Sequence, residues 1–162
     1  MAKVKSPAEF VASTARLVGG YQFPDYTDIK LALAANTMGQ QVLDPPSVEG
    51  WHTGTEWINS GSLMRRTNFF ADLVGDVERP GVQLIIDRLK ERGDLSHEEF
   101  VDSCLNLMGP LEIDPATRAE LVSHAGEDGT LRWGETQESD ASRRRIGEML
   151  QLIVSLREYQ LA

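Results

Sequence analysis

The amino-acid sequence predicts an all-α fold, a single-domain bundle of about seven helices with one long ordered loop rich in proline, glycine and tryptophan. Three observations predict it. Apolar residues recur with helical spacing along nearly the whole chain. Helix-start and helix-stop residues divide the chain into segments of ordinary helix length. No segment alternates polar and apolar residues for long enough to form a strand. A chain of 162 residues suits one such domain, residues 1–162, which can bury roughly 70% of its unfolded surface.

The first two helices have clear boundary signals. Residues 6–9, Ser-Pro-Ala-Glu, form a capping box with proline at the first helical position, and Gly19-Gly20 ends the helix. A second helix is predicted from about Tyr26 to Met38, stopped by Gly39. Its apolar residues lie on two sides, which is typical of a helix packed on both faces, so we expect it to be central.

Residues 39–54 predict a long loop, and a third helix follows from about Gly61 to Val74. Phe69 falls off its main apolar face, beside Arg65, so a second aromatic contact is expected there, against the loop or against a further part of the protein. The face expected to be buried consists of Leu63, Thr67, Phe70 and Val74.

Four more helices follow. Their predicted boundary residues are Pro80 and Gly93, Ser96 and Gly109, Asp114 and Gly126, and Ala141 and Ser155. Residues 127–138 predict a polar surface loop anchored by Leu131 and Trp133.

The composition of the chain limits the classes of partner that it is expected to bind. The net charge of -9 argues against nucleic acid, whose phosphates are neutralised by clustered Lys and Arg. No apolar run approaches the ~20 residues of a membrane span, so no membrane insertion is expected. The single cysteine excludes an internal disulfide and fits a reducing compartment without excluding a periplasm, so the location stays open.

The residues that usually carry chemistry do not form a recognisable set, and we predict no catalytic residue, metal or cofactor. His52, His97 and His124 lack the short spacing of zinc ligands. Cys104 lies in an apolar stripe and is expected to be buried. The arginines at 143–145 are expected to form a solvated face with local ion pairs.

The loop remains as the candidate site, with two alternatives. Either Trp51 and Trp57 fold back and cap the bundle, or they form a platform with Arg65 that receives a partner or a glycan. We expect the first, with both tryptophans packed and residues 44–60 ordered. Asn59 or Ser60 should then cap the third helix.

In that packed corner, Arg66 is expected to hold loop carbonyls or a carboxylate such as Asp44 or Glu56.

Residues 38–73, MGQQVLDPPSVEGWHTGTEWINSGSLMRRTNFFADL, carry a resemblance. This signature segment is similar to a block found in a large bacterial family catalogued only as a domain of unknown function, number eighteen hundred. The ends agree as well, because residues 6–11 and the closing LQLIVSLREYQLA resemble flanking family motifs. His52 departs from the family, which usually has proline there. The candidate binding or structural-signature residues are Pro45, Pro46, Gly50, Trp51, Trp57, Asn59, Arg65, Arg66, Asn68 and Phe69.

The resemblance implies a bacterial source and no established reaction. Family members are longer and carry these motifs near their C-termini, so the chain is expected to be the C-terminal part of a longer, often exported protein. The first hypothesis is a non-enzymatic structural or interaction domain, whose partner is the N-terminal part of the same protein or another protein. The alternative is part of an enzyme acting on a cell-surface polysaccharide or related polymer.

Overall fold

The structure, a computed structural model, describes residues 4–21 and 28–160. Within those ranges it contains helices and no strand, which confirms the all-α prediction. Two isolated β-bridges pair Ser47 with Gly50 and Leu95 with Leu131. The helices are α1 (Pro7–Val18), α2 (Asp28–Thr37), α3 (Ser60–Val74), α4 (Pro80–Glu91), α5 (His97–Met108), α6 (Pro115–Glu127), α7 (Thr136–Ser155) and α8 (Arg157–Gln160), with a 3-10 helix at Gly54–Trp57.

The centre of the bundle is α7. It packs against α3, α4, α5, α6 and α8, and its buried side chains recur with helical spacing. No helix among the described residues is both long enough and apolar enough to cross a membrane. The apolar residues that α7 places in the core are Ile146, Met149, Leu150, Ile153 and Val154.

The prediction that the second helix is central is wrong. In α2 only Ala35 is buried, whereas Ile29 and Leu33 are more than half exposed, and α2 packs mainly against α1. Apolar residues on two sides of a helix show that it could be covered twice, but they do not show that neighbours exist. The predicted first turn, at Tyr26 and Thr27, lies outside the described residues.

Most of the predicted helix boundaries agree with the structure, although α7 begins at Thr136 rather than at about Ala141, so the predicted loop of residues 127–138 ends earlier. Ser6 caps α1, and Ser96 caps α5 in the same way. In each case the serine hydroxyl accepts the backbone N–H of the glutamate three residues later, and the glutamate carboxylate accepts the serine N–H. Asp114 caps α6 by accepting the Ala116 N–H. Each such cap stabilises its helix by about 1 kcal/mol.

The buried face of α3 differs from the predicted one. Leu63 is 38% exposed and Thr67 is only half-buried, whereas the polar Ser62 and Arg66 are buried in line with Phe70. Hydrophobicity alone misplaces this face because two of the buried positions are polar and find hydrogen-bond partners inside the protein. Phe69, expected to make a separate contact, packs against the same core.

The arginines at 143–145 do not form one solvated face. Arg145 donates to the carbonyls of Ala125, Gly129 and Thr130, and so ties the end of α6 to the loop that follows it. Arg143 reaches the carboxylate of Glu78 at 2.9 Å. The sequence could not show these partners because they lie 15 to 65 residues away.

Two predictions of burial are confirmed. Leu131 is fully buried and anchors its loop through paired backbone hydrogen bonds with Leu95. Cys104 is fully buried on α5, and burial raises the pKa of its thiol. A thiol in this setting is a packing group.

Candidate functional site

The second half of the signature segment is a packed corner. Trp57 ends the 3-10 helix and is 5% exposed. Asn59 caps α3, because its side-chain oxygen accepts the Ser62 N–H at 2.9 Å, which confirms the predicted cap. The Ser62 hydroxyl accepts the Asn59 N–H at 2.9 Å and donates to the Trp57 carbonyl at 2.7 Å. Asn59 and Ser62 thereby fix the direction in which α3 leaves the corner.

Arg66 lies behind this corner and is the largest fully buried side chain among the described residues. Its Nη1 donates to the Lys5 carbonyl at 3.0 Å, and its Nε donates to the Gln160 side-chain oxygen at 3.3 Å. The guanidinium carbon lies 4.2 Å from the centre of the Phe10 ring. The expectation that Arg66 binds Asp44 or Glu56 is therefore wrong: it joins α3 to both ends of the described chain.

Among the described residues, no carboxylate lies beside the guanidinium of Arg66. Burial lowers the pKa of this guanidinium to about 10, so the group is still charged at neutral pH. Its Nη2 finds no hydrogen-bond partner within the described part of the chain. A buried cation held by two neutral acceptors and one ring is costly in free energy, so Arg66 is a specialised feature rather than ordinary core packing.

Most of the first half of the signature segment is exposed, although Met38 and Gln40 at its start are buried. We call residues 41–52 the signature loop; its side chains from 41 to 49 are all exposed, including Pro45 and Pro46. Leu43 is 94% exposed and holds φ at 73°, a left-handed conformation that leucine rarely adopts. Gly50 has φ at 97°, where glycine meets no such penalty, and its N–H closes a turn onto the Ser47 carbonyl.

The two tryptophans differ in burial and lie close together. Their ring centroids are 6.5 Å apart, and Trp51 is half-buried. His52 meets Trp57 edge-on at 5.7 Å, and its Nδ1 lies 3.6 Å from a carboxylate oxygen of Glu56. Trp51 and His52 also line an open groove of about 470 Å³, together with Asp44.

The remaining signature residues take different positions. Arg65 donates to the Thr37 carbonyl, which ties α3 to the end of α2, and is exposed. Asn68 is exposed and Phe69 half-buried. Among the described residues, no group of three or more His, Cys, Asp or Glu side chains is arranged to hold a metal ion.

Exposed large apolar side chains are concentrated in one part of the sequence, from α2 to the first turns of α3. Of nine large hydrophobic residues that the structure describes as exposed, seven lie between positions 29 and 64. Leu84 and Leu152 are the two elsewhere. The seven are Ile29, Leu33, Val42, Leu43, Val48, Leu63 and Met64.

Residues 1–161 match the model of a family described as Protein of unknown function (DUF1800). The chain belongs to this family. The resemblance of the signature segment is thus confirmed, and it extends over almost the whole of this DUF1800 chain. No curated protein and no solved structure matches it. Membership names a family without a function, so the function has to be argued from the site.

Sequence reasoning missed two residues of the corner. Gln160 bridges Arg66 and the Val154 carbonyl, with its side-chain N–H₂ donating at 2.7 Å, and it is 2% exposed. Ser62 links Trp57 to the α3 cap. The closing motif that resembles the family contains Gln160, and that was the available signal; nothing in the sequence indicated its contact with Arg66, which lies 94 positions away.

Proposed function

We propose that this DUF1800 chain is a non-enzymatic interaction module of a larger, exported protein, and that it binds a protein partner through the signature loop and the exposed faces of α2 and α3. The observation that carries the proposal is the concentration of exposed large hydrophobic side chains between positions 29 and 64. Single exposed apolar residues are common, whereas an exposed group of them marks a surface that contacts something else.

Leu43 and Val48 are the centre of the proposed surface. Leu43 keeps a strained backbone while its side chain points into water, and Val48 is fully exposed. Neither residue contributes to the core, so the fold does not explain either. Burying each against a partner would contribute about 1.5–3 kcal/mol.

The charges beside these residues define the partner further. The signature loop and the 3-10 helix carry Asp44, Glu49 and Glu56, all exposed. An apolar centre with an acidic rim fits a protein surface with an apolar centre and a basic rim. The N-terminal part of the same protein, or a separate protein, could offer that surface.

Site-specific photo-crosslinking in the native host tests the proposal. A benzophenone amino acid at position 48 should give a discrete crosslinked protein, and the same group at position 84, an exposed leucine on α4, should not. The captured protein is then purified and titrated calorimetrically against wild type, Val48→Asp and Leu84→Asp. Binding that is lost only in Val48→Asp supports the proposal. Binding that survives Val48→Asp, or an absence of any crosslink specific to position 48, refutes it.

A second candidate function is supported by the groove beside Trp51. Part of an enzyme acting on a polysaccharide would need an aromatic surface for a sugar ring and a pair of carboxyl groups. Trp51, His52 and Asp44 line the groove. A carboxylate oxygen of Glu56 lies 3.6 Å from the Nδ1 of His52. Hydrolysis of cell-wall polysaccharides that is abolished by Asp44→Asn and by Glu56→Gln, with unchanged melting temperatures, would favour this candidate over the interaction module.

A further inference from the structure

A second pocket shares none of its described lining residues with the groove beside Trp51. It has a volume of about 420 Å³, within the range of small-molecule sites. Ile58 and Leu63 supply apolar wall, and the hydroxyl-bearing Thr55 and Thr67 lie beside them. The 3-10 helix, α3 and the end of α7 meet here.

The far wall of this pocket is cationic. Arg157 lines it and is exposed, and within the described part of the chain no carboxylate pairs with its guanidinium. Gln160 lines the pocket too, and its side-chain oxygen accepts a hydrogen bond from Arg66 Nε at 3.3 Å. The buried guanidinium of Arg66 is therefore one hydrogen bond away from a residue of the pocket lining.

The charge of this pocket differs from that of the chain as a whole. None of the described residues that line the pocket is acidic, although the chain has 25 acidic residues against 16 basic ones. In a protein of net charge -9, a pocket lined by one exposed arginine, with a buried arginine bonded to another lining residue, is a local exception. The charge of Arg66 acts through the protein interior, where it is screened less than it would be in water.

From this geometry we infer that the pocket binds a small organic acid: a carboxylate joined to a short apolar group. The carboxylate lies against Arg157, within the field of Arg66, and accepts from the threonine hydroxyls. The apolar group lies against Ile58 and Leu63. A neutral or cationic ligand of the same shape lacks the charge-assisted hydrogen bonds that this wall offers. Leu63 belongs both to this pocket and to the exposed apolar residues of α3, but Leu43 and Val48, the centre of the proposed partner surface, do not line the pocket. Binding of the acid does not depend on a protein partner.

Titration of the isotope-labelled chain, followed by NMR, tests the inference with hexanoate as the probe. Hexanoate should shift the amide signals of Leu63, Thr67 and Ser155 and should bind at least about tenfold more tightly than hexylamine, which has the same apolar chain and the opposite charge. Arg157→Gln should weaken hexanoate binding about tenfold, whereas Arg144→Gln on α7 should leave it unchanged.

A second pair of variants guards against a general charge effect. Leu63→Glu places a carboxylate on the pocket wall and should weaken hexanoate binding, whereas Leu84→Glu adds the same charge on α4 and should not. Both leucines are exposed, so both variants should fold, which a thermal melt verifies.

N-acetylleucine identifies the source of the acid. If N-acetylleucine binds more tightly than hexanoate, the natural ligand is the C-terminal end of a peptide. If it binds more weakly, the natural ligand is a free acid. Both results support the proposed site. Equal affinity for hexanoate and hexylamine, shifts confined to other parts of the chain, or full binding by Arg157→Gln would overturn the inference.

Discussion

The two halves of the signature segment have opposite relations to solvent. In the signature loop, residues 41–49 are all exposed, and Leu43 holds a strained backbone with its side chain in water. From Trp57 to Phe70, the segment buries an indole, a capping serine and a guanidinium. One continuous stretch of sequence therefore serves two purposes. Packing and hydrogen bonds inside the chain explain the buried residues of the second half, whereas they do not explain the exposed residues 41–49.

Residues of the signature segment therefore have two kinds of role: some stabilise the fold, and others are available to contact another molecule. Arg66 has partners within the described chain, so its role there is measurable as stability. Val48 is fully exposed, so its role should be measurable only as contact with another molecule. Stability measurements on variants from both halves test this contrast.

The largest effect is expected at Trp57. Trp57→Ala should lower the free energy of unfolding by roughly 3–5 kcal/mol, since it removes a large aromatic side chain that is 95% buried. Urea-induced unfolding measures the loss.

Trp51→Ala is the matched control from the exposed half. We expected both tryptophans to be packed, but Trp51 is only half-buried, so its loss should cost about half as much. Equal losses for the two variants would show that the two halves are packed alike.

Arg66→Ala should lower the free energy of unfolding by about 3 kcal/mol, because it leaves a cavity and frees the Lys5 and Gln160 oxygens. Arg66→Met fills most of the space and removes an unpaired buried charge, so it should lie within about 1 kcal/mol of wild type. A methionine variant as unstable as the alanine variant would show that the charge itself holds the corner together.

The contribution of Arg66 to the free energy of unfolding should change with pH in a defined direction. Burial lowers the folded-state pKa of Arg66 to about 10, below the ordinary value that it keeps in the unfolded chain, so above pH 10 the unfolded chain binds more protons and the contribution of Arg66 to stability rises with pH. From pH 9 to pH 11 wild type should gain about 1 kcal/mol relative to Arg66→Met.

Tyr159 acts in the other direction. Burial raises the pKa of its hydroxyl, so the unfolded chain ionises first and stability falls as the pH rises above about 10. Wild type and Arg66→Met both contain Tyr159, so the difference between their free energies of unfolding reports on Arg66 alone. An unchanged difference between pH 9 and pH 11 would contradict a lowered pKa.

Cys104 provides a reference outside the signature segment. Cys104→Ser should lower the free energy of unfolding by about 1–3 kcal/mol, because it places a hydroxyl in an apolar setting. A thiol reagent should label the native protein slowly, since Cys104 is fully buried. Rapid labelling would show that α5 opens readily.

The smallest effect is expected at Val48. Val48→Ser should change the free energy of unfolding by less than about 0.5 kcal/mol, because the side chain is fully exposed. The same urea titration that is used for Trp57→Ala measures it. A loss of several kcal/mol would mean that the signature loop supports the fold, and the contrast between the two halves would fail.

Sequence reasoning succeeded where the cause is local. The caps at Ser6, Asn59 and Ser96 involve residues within three positions, so the sequence contains both partners. It failed where the cause is distant: the partners of Arg66 and Arg145 come from other elements. The centrality of α2 failed for the same reason, since a helix does not encode which neighbours will cover it.

The contacts of Arg66 also have a consequence for the order of folding. Its two hydrogen-bond partners are 61 and 94 positions away in sequence, so a long loop must close before each bond forms. The caps of α1 and α5 need only a few residues and can form early. We therefore expect the bonds of Arg66 to form after the folding barrier, with a φ-value near zero for Arg66→Ala. Such a mutation leaves the folding rate unchanged and speeds unfolding, so the chief effect of Arg66 is to slow the unfolding of the native state.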